Sequence, residues 1–261
     1  MSASRPAPSG TTLSSHLRLS VGTLSIAAPV TVPAREVRAE AVLPSLQGLV
    51  DRVVEAAEAQ VRQAGAAISC RKGCGACCRQ LVPVSTTEAR AIAALVAGQP
   101  PARRTRLRAR FADVGRRLRD AGLAPVLLDP ARREDRPDRA LSVAYFGLGL
   151  ACPFLEDEAC SIHRDRPLAC REYLVTSPAE NCRNREQEGV TPVAVPKLSV
   201  AARGLEAADD GTDTSTHWIP LALALEHVEV AARSRQRLSG PQWIQRFLGR
   251  LRIGGSGERP A

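Results

Sequence analysis

The stretch Cys70–Cys78 restricts the possible folds of this chain more than any other feature, because it places four cysteines within nine residues. Their spacing is Cys-x3-Cys-x2-Cys-Cys, and thiolates two to four residues apart can chelate a soft or borderline metal ion. Gly73 and Gly75 flank the second cysteine and allow the tight turns that such chelation needs. Four more cysteines form a looser second group, which consists of Cys152, Cys160, Cys170 and Cys182.

Metal binding explains the two cysteine groups better than disulfides or core packing do. Disulfides need an oxidising compartment, but residues 1–33 contain no uninterrupted apolar run of the kind found in a signal peptide. No stretch is long enough to span a bilayer, and we therefore expect a cytoplasmic protein. Four small buried residues on one helix face would also have the spacing of Cys70–Cys78, but two nearby glycines disfavour a continuous helix.

All eight cysteines are candidate metal ligands. A tetrahedral zinc ion and a cubane iron–sulfur cluster each take about four thiolates, so eight could form two sites or one site with spare thiols. Cys77 and Cys78 need not serve the same metal, because neighbouring side chains diverge. His163 follows Cys160 by three residues, and it suits either a ligand or a structural hydrogen-bonding role.

The second cysteine group predicts its own local structure. Cys152 and Cys160 bracket a turn through residues 156–158, as if presented by the two arms of a hairpin. Asp165 can cap a short helix that has Pro167 in its first turn and carries Cys170. Cations adjacent to the cysteines would offset the negative charge of a thiolate site, and they are Arg71, Lys72, Arg79, Arg164, Arg166 and Arg171.

The charge of the chain is basic, with 36 basic and 27 acidic residues and a net charge of +9. Eight arginines lie within residues 102–121 on an amphipathic helix. This face could bind phosphate, but no aromatic or glycine-rich element accompanies it, and we interpret it as a solvated helix face. Net positive charge attracts anions without specificity. We expect neither nucleic acid nor a membrane as a partner, whereas a protein partner is compatible with the sequence.

The remaining sequence predicts a mainly α fold: a single irregular helical domain, stapled by a cysteine-rich metal site, with a few short strands. Period-two alternation over residues 17–32 indicates one or two short strands or an extended arm. Residues 123–139 read as a loop, and residues 141–150 as a strand or extended segment. Apolar stripes at helical spacing predict helices over 44–64, 86–96, 102–121, 219–238 and 241–251.

The predicted domain organisation has three parts. Residues 1–40 form a flexible or extended arm, residues 41–252 form the cysteine-cluster domain with its motif core at 68–185, and residues 253–261 form a flexible tail. The two cysteine groups are separated by 73 residues between Cys78 and Cys152. Metal coordination and helix packing must offset the entropy of closing that loop, so we expect chelation to be part of folding.

These motifs resemble those of the YkgJ-type cysteine-cluster proteins, which are described as zinc- or iron-chelating domains. The resemblance covers roughly residues 68–185 and implies that all eight cysteines are ligands, whereas the family often has tyrosine at the position of His163. A flagellin lysine N-methylase carries a similar cluster that looks like an iron–sulfur centre working with S-adenosylmethionine, but no glycine-rich nucleotide loop is found here. The matching segments are the first cysteine group, Leu81-Val-Pro-Val-Ser, Glu88-Ala89, Cys152-Pro-Phe-Leu, Cys160-Ser-Ile-His163, Arg166-Pro167-Leu-Ala-Cys170-Arg171 and Cys182.

The expected function is that of a bacterial-type, cytoplasmic metal-chelating protein that holds an iron–sulfur cluster or zinc. The role considered for it is an accessory one in redox or methyl-transfer chemistry. The alternative is a structural zinc module for protein or nucleic-acid interaction. A spare reactive thiol would favour chemistry, and eight thiolates in closed coordination would favour the structural module.

Overall fold

The computed structural model describes residues 10–129, 139–184, 189–206, 218–230 and 236–254. Within these ranges the chain forms a single, mainly helical domain with a few short strands, as its apolar periodicity predicts. The helices are α1 (Leu43–Gln63), α2 (Thr86–Ala97), α3 (Pro101–Asp120), α4 (Ala124–Leu128), α5 (Arg139–Gly147), α6 (Leu168–Arg171), α7 (Leu198–Arg203), α8 (Ala224–Val230) and α9 (Gly240–Gly254). The strands are β1 (Thr12–Val21), β2 (Leu24–Pro33), β3 (Glu36–Val37), β4 (Pro83–Val84), β5 (Leu155–Glu156), β6 (Ala159–Cys160), β7 (Ile219–Pro220) and β8 (Leu238–Ser239).

The long helix α1 delivers the chain to the first cysteine group. It has a proline in its first turn, where the missing N–H would have no partner in any case. Gly65 follows its end with a φ of +78°, a left-handed conformation that glycine adopts without strain. One face of α1 packs on β2, and its buried residues are Leu43, Leu46, Leu49, Val50, Val53, Val54 and Ala57.

The N-terminal alternation forms a hairpin. β1 and β2 pair antiparallel from Thr12 opposite Pro33 to Val21 opposite Leu24. The predicted strands are therefore confirmed, and the alternative prediction of an extended arm is wrong. Alternate side chains of β2, among them Ala28 and Val30, are buried in the same core as α1. The predicted domain boundaries stay predictions. Residues 209–213, whose sequence Asp-Asp-Gly-Thr-Asp indicates a loop, lie outside the described residues.

Three predictions of local structure are wrong. Residues 141–150 were expected to be extended, but most of them lie in α5, where Tyr145 and Phe146 are buried. A short apolar run does not distinguish a strand from a buried helix. The loop predicted at 123–139 contains α4, which buries Leu127. The helix predicted from residue 219 begins only at Ala224, because β7 comes first and pairs with β4.

Short strand pairs and one buried tryptophan connect distant parts of the chain. β3 pairs with β8 and β4 pairs with β7, so each pair joins segments that are more than 130 residues apart in the sequence. Trp243 of α9 is fully buried, and its Nε1 donates a hydrogen bond to the carbonyl oxygen of Val37 at 2.9 Å. In the parts of the chain that the structure describes, no helix has the length and apolarity to cross a membrane.

Candidate metal centre

The first cysteine group is a series of tight turns, as its glycines predict, and not a helix. The amide of Cys74 donates to the carbonyl oxygen of Arg71, and the amide of Cys78 donates to that of Gly75, both at 3.0 Å. Gly73 has a φ of +86°, which a residue with a Cβ adopts only with strain. The backbone thus reverses repeatedly within a few residues and holds several thiols close together.

Cys182 joins the first group although it is distant in sequence. It lies in the 3-10 turn Ala179–Arg183, is only 3% exposed, and packs with Ala76 and Val175. The segment before the first group also contacts this cluster, because the amide of Ser69 donates a hydrogen bond to the carbonyl oxygen of Val175 at 2.9 Å. Three thiols of the first group pack against this small cluster, namely those of Cys70, Cys74 and Cys77.

The hairpin predicted in the second group is confirmed. β5 and β6 pair antiparallel, with Cys160 opposite Leu155. Cys152 lies just before β5, and its amide donates to the carbonyl oxygen of Cys78 at 2.7 Å. This bond directly joins the two cysteine groups across the 73 residues between them.

Gly75 marks a second point of contact between the groups. A Cβ at this position would lie 2.4 Å from the carbonyl oxygen of Glu158 and 2.5 Å from Cδ1 of Leu155. Only glycine therefore allows the first group to approach the turn of the β5–β6 hairpin so closely.

The short helix α6 carries Cys170, as predicted, but its capping group differs from the prediction. Asp165 ends a 3-10 turn, His163–Asp165, and Pro167 directly precedes α6. The amide of Leu168 donates instead to Oε1 of Glu88, at 2.8 Å. The reason is that the buried carboxylate of Glu88 already caps α2 through Ser85, and its second oxygen remains free for α6. The S-x-x-E sequence signals the capping box of α2, but it gives no sign of this second bond.

The thiols fall into two sets by their mutual electrostatic interactions. Burial raises the pKa of Cys70 and that of Cys182, and further increases come from neighbouring thiolates of the first group. Burial likewise raises the pKa of Cys152 to about 12 and that of Cys170 well above its ordinary value. The neighbours of Cys170 that raise its pKa further are Cys152, Cys160 and Cys77.

Cys77 belongs to both sets. The hydrogen bond with Cys78 is the largest cause of its strongly raised pKa, and burial is the next. Its thiolate acts on members of the first group and on every member of the second. These six residues are Cys70, Cys182, Cys152, Cys160, Cys170 and, through its hydrogen bond, Cys78. The ionisation of Cys77 is therefore coupled to that of thiols in both groups.

Arg166 is the cation that faces the most thiols in the described ranges. It lowers the pKa of four of them and thus acts on both groups, through Cys70, Cys77, Cys160 and Cys170. Its Nε is buried without a hydrogen-bond partner. Two other predicted counter-charges have carboxylate partners instead: Arg79 binds Glu158, and Arg171 binds Asp51. The positions of Arg71, Lys72 and Arg164 are exposed.

His163 lies on the exposed side of the site. Its residue is exposed, and burial of its ring, together with nearby Arg166 and Arg171, lowers its pKa. Its role as a ligand or a hydrogen-bonding residue stays a prediction.

The arginine-rich helix α3 supports the second group from outside. Arg110 donates to the carbonyl oxygens of Pro153 and Leu155 at 3.3 and 3.2 Å, and Arg103 donates to that of Ser161 at 3.4 Å. Both guanidinium groups also lie within 4 Å of Glu156. These arginines hold the hairpin between Cys152 and Cys160. Neither interpretation of this helix face, as a phosphate-binding face or as a solvated face, predicts this role.

The donor set fits zinc or iron. All eight cysteines are free thiols, seven of them partly buried and Cys182 buried, and soft thiolate ligands suit zinc and iron–sulfur centres. Among the described residues, no three His, Cys, Asp or Glu side chains already stand where they could hold one metal ion. Eight free thiols on adjoining turns, a hairpin and a short helix of one helical domain define a cysteine-rich module of the chelating class.

The family comparison agrees with this class. Residues 69–190 match the CxxCxxCC family model, which is described as "Putative zinc- or iron-chelating domain". No curated protein and no solved structure matches the chain. The matched range contains all eight cysteines and ends between Cys182 and α7.

Proposed function

We propose that the eight cysteines form a thiolate metal centre that binds zinc or an iron–sulfur cluster. The observation that supports this most is that the two groups meet at Cys77 and Cys78. Cys77 packs against the cluster that contains Cys182, and the carbonyl oxygen of Cys78 accepts a hydrogen bond from the amide of Cys152 at 2.7 Å. Five separate chain segments contribute these sulfurs. Packing alone does not explain why they lie in one region, because burial disfavours the charged thiolate forms. Metal binding turns this cost into stabilisation, since a cation favours the thiolate.

The two sets suggest how the ligands divide. Cys70, Cys74 and Cys182 form one set around Ala76, and the other contains Cys152, Cys160 and Cys170. Cys77 can complete either set, and Cys78 is its nearest thiol neighbour. A metal bound between the sets would hold the first turns, the β5–β6 hairpin and α6 together. What it would supply is a Lewis acid, if zinc, or an electron carrier, if an iron–sulfur cluster.

An accessory role in redox or methyl-transfer chemistry is the finer part of the proposal. It is supported by the half-buried state of the thiols, because Cys78 and its neighbours are partly accessible and not sealed in the core. A closed structural zinc site would instead have all its ligands coordinated. Iron with sulfide would favour the redox role, and stoichiometric zinc would favour a structural module that binds a partner.

A thermal melt with and without a chelator tests the proposal. We expect removal of metal to lower the midpoint and to expose residues 68–185 to proteolysis, because coordination offsets the closure entropy of a long loop. Cys182→Ser should retain the metal of the second set, whereas Cys77→Ser should weaken binding at both. Identical melts with and without chelator would count against the proposal.

A further inference from the structure

Glu158 lies where three cysteine-bearing segments meet, although it is not a candidate ligand. Its carboxylate accepts hydrogen bonds from Arg79, the residue after the first cysteine group, at 2.7 and 3.2 Å. It also accepts one from Arg183, the residue after the last cysteine of the chain, at 2.7 Å. Glu158 itself precedes Cys160 by two residues. One carboxylate therefore ties together the first turns, the hairpin and the final 3-10 turn.

The backbone at Glu158 has a left-handed conformation that glutamate disfavours. Asp157 and Glu158 are the two central residues of the β5–β6 turn, with φ values of +48° and +57°. Two-residue hairpin turns of this kind favour Asn-Gly or Asp-Gly, and glutamate is disfavoured at the second position. Disfavoured conformations persist where the surroundings determine them, and they are frequent at functional positions. Here the close approach of Gly75 to the Glu158 carbonyl oxygen is one such restraint.

The exposure of these ion pairs argues against a purely stabilising role. The side chains of Glu158, Arg79 and Arg183 are 44%, 26% and 52% exposed. Ion pairs this exposed contribute little to the stability of a fold and are screened by salt. The position of these ion pairs is more informative than their strength, because they join the three cysteine-bearing segments to one another.

We propose that Glu158 is a positioning residue, a latch that holds the two cysteine groups closed over bound metal and slows metal release. This inference rests on the proposed metal-binding function. Opening the latch frees the hairpin to move away from the first turns, so bound metal becomes accessible to competing ligands. The latch opens when salt screens the attraction between the Glu158 carboxylate and its two arginines.

The experiment follows zinc release from the zinc-loaded full chain to a chromophoric chelator, for the wild type, Glu158→Gln, Glu158→Gly and Glu180→Gln. Glu180 is exposed and belongs to the same region, so its variant makes the same charge change away from the latch. Glu158→Gln should release zinc about tenfold faster, as expected for the loss of two partly exposed ion pairs. Glu180→Gln should match the wild type.

Salt and the glycine variant separate a latch from a structural role. Raising the sodium chloride concentration should speed release from the wild type toward the rate of Glu158→Gln and leave that variant unchanged. Glu158→Gly suits the left-handed backbone, so its metal-free form should melt no lower than the wild type, yet it should release zinc as fast as Glu158→Gln. Equal release from the wild type and Glu158→Gln, or equal salt acceleration in both, would refute the latch. A wild type that binds neither zinc nor iron would instead refute the metal-binding function itself.

Discussion

The close approach at Gly75 gives the sharpest test of how the two cysteine groups are joined. In Gly75→Ala, the new Cβ would lie 2.4 Å from the carbonyl oxygen of Glu158 and 2.9 Å from its carbonyl carbon. Leu155 can rotate its side chain away, but the Glu158 backbone belongs to a two-residue turn and cannot. The first turns and the hairpin must therefore separate by about 1 Å to reach an ordinary contact of 3.4 Å.

The expected cost follows from this geometry. Inserting one carbon into a packed contact costs about 1–3 kcal/mol, and a backbone obstacle places Gly75→Ala at the upper end of that range, about 2–3 kcal/mol. Zinc affinity should fall at least about tenfold, since 1.4 kcal/mol corresponds to a factor of ten and both groups supply ligands. Urea unfolding of the metal-free chain and competition with a zinc-binding dye measure the two effects.

Gly73→Ala is the matched control. Gly73 has a φ of +86°, but nothing lies within 4 Å of its Cβ position. Its alanine variant should lose about 1–2 kcal/mol through backbone strain and leave the contact between the groups intact, so zinc affinity should change less than in Gly75→Ala. Wild-type affinity and stability in Gly75→Ala would refute the idea that this contact joins the groups.

Further predictions concern the residues around the site. Arg171→Met removes the guanidinium that donates to the carbonyl oxygens of Arg164 and Arg166, so the Arg166 oxygen keeps only Gln47 Nε2 as a donor, at 3.4 Å. This variant should lower the free energy of unfolding by about 2–3 kcal/mol in urea titrations. Asp51→Asn should lower the free energy of unfolding by less than about 1 kcal/mol, because the Asp51 side chain is 45% exposed. Equal losses in Arg171→Met and Asp51→Asn would contradict the expectation that the carbonyl contacts of Arg171 matter more than its ion pair. Glu88→Gln replaces one acceptor oxygen with an NH2 donor, which then faces the donating N–H of Ser85 or of Leu168. It should lower the free energy of unfolding by about 1–3 kcal/mol, more than the roughly 1 kcal/mol of Ser85→Ala. Thermal melts measure both, and a glutamine variant as stable as the wild type would contradict this prediction. Zinc must displace protons from thiols whose pKa values are raised, so affinity should rise with pH and calorimetry in two buffers should detect proton release; binding without proton release would contradict the thiolate assignment.

Periodicity and caps made most of the fold predictable. The stripe of α1, the capping serine of α2 and the apolar face of α3 each identify a helix from local sequence, because those helices bury one face and expose the other. The same reasoning failed at α5, where a run of apolar residues has no clear period. It also failed at residue 219, because pairing with β4 is a long-range interaction.

The two cysteine groups were predictable from the sequence, but the residues that support them were not. Cysteine spacing identifies the two groups, and the turn through residues 156–158 is visible as a hairpin. The bonds that hold the site in place join residues far apart in sequence. Glu158 binds Arg79 and Arg183, and Glu88 binds the amide of Leu168. Charged residues are common, and no spacing rule relates such partners, so only the fold shows which of them meet.

The measurement that tests the metal centre most directly is an absorption spectrum with iron, zinc and sulfide analysis, on protein purified without oxygen. The wild type should contain stoichiometric metal, either colourless zinc or iron and sulfide with broad visible absorption. Cys77→Ser, which alters the thiol between both groups, should lose most of that metal while keeping its helical circular dichroism. A wild type without zinc or iron, or a serine variant with unchanged metal content, would contradict the account.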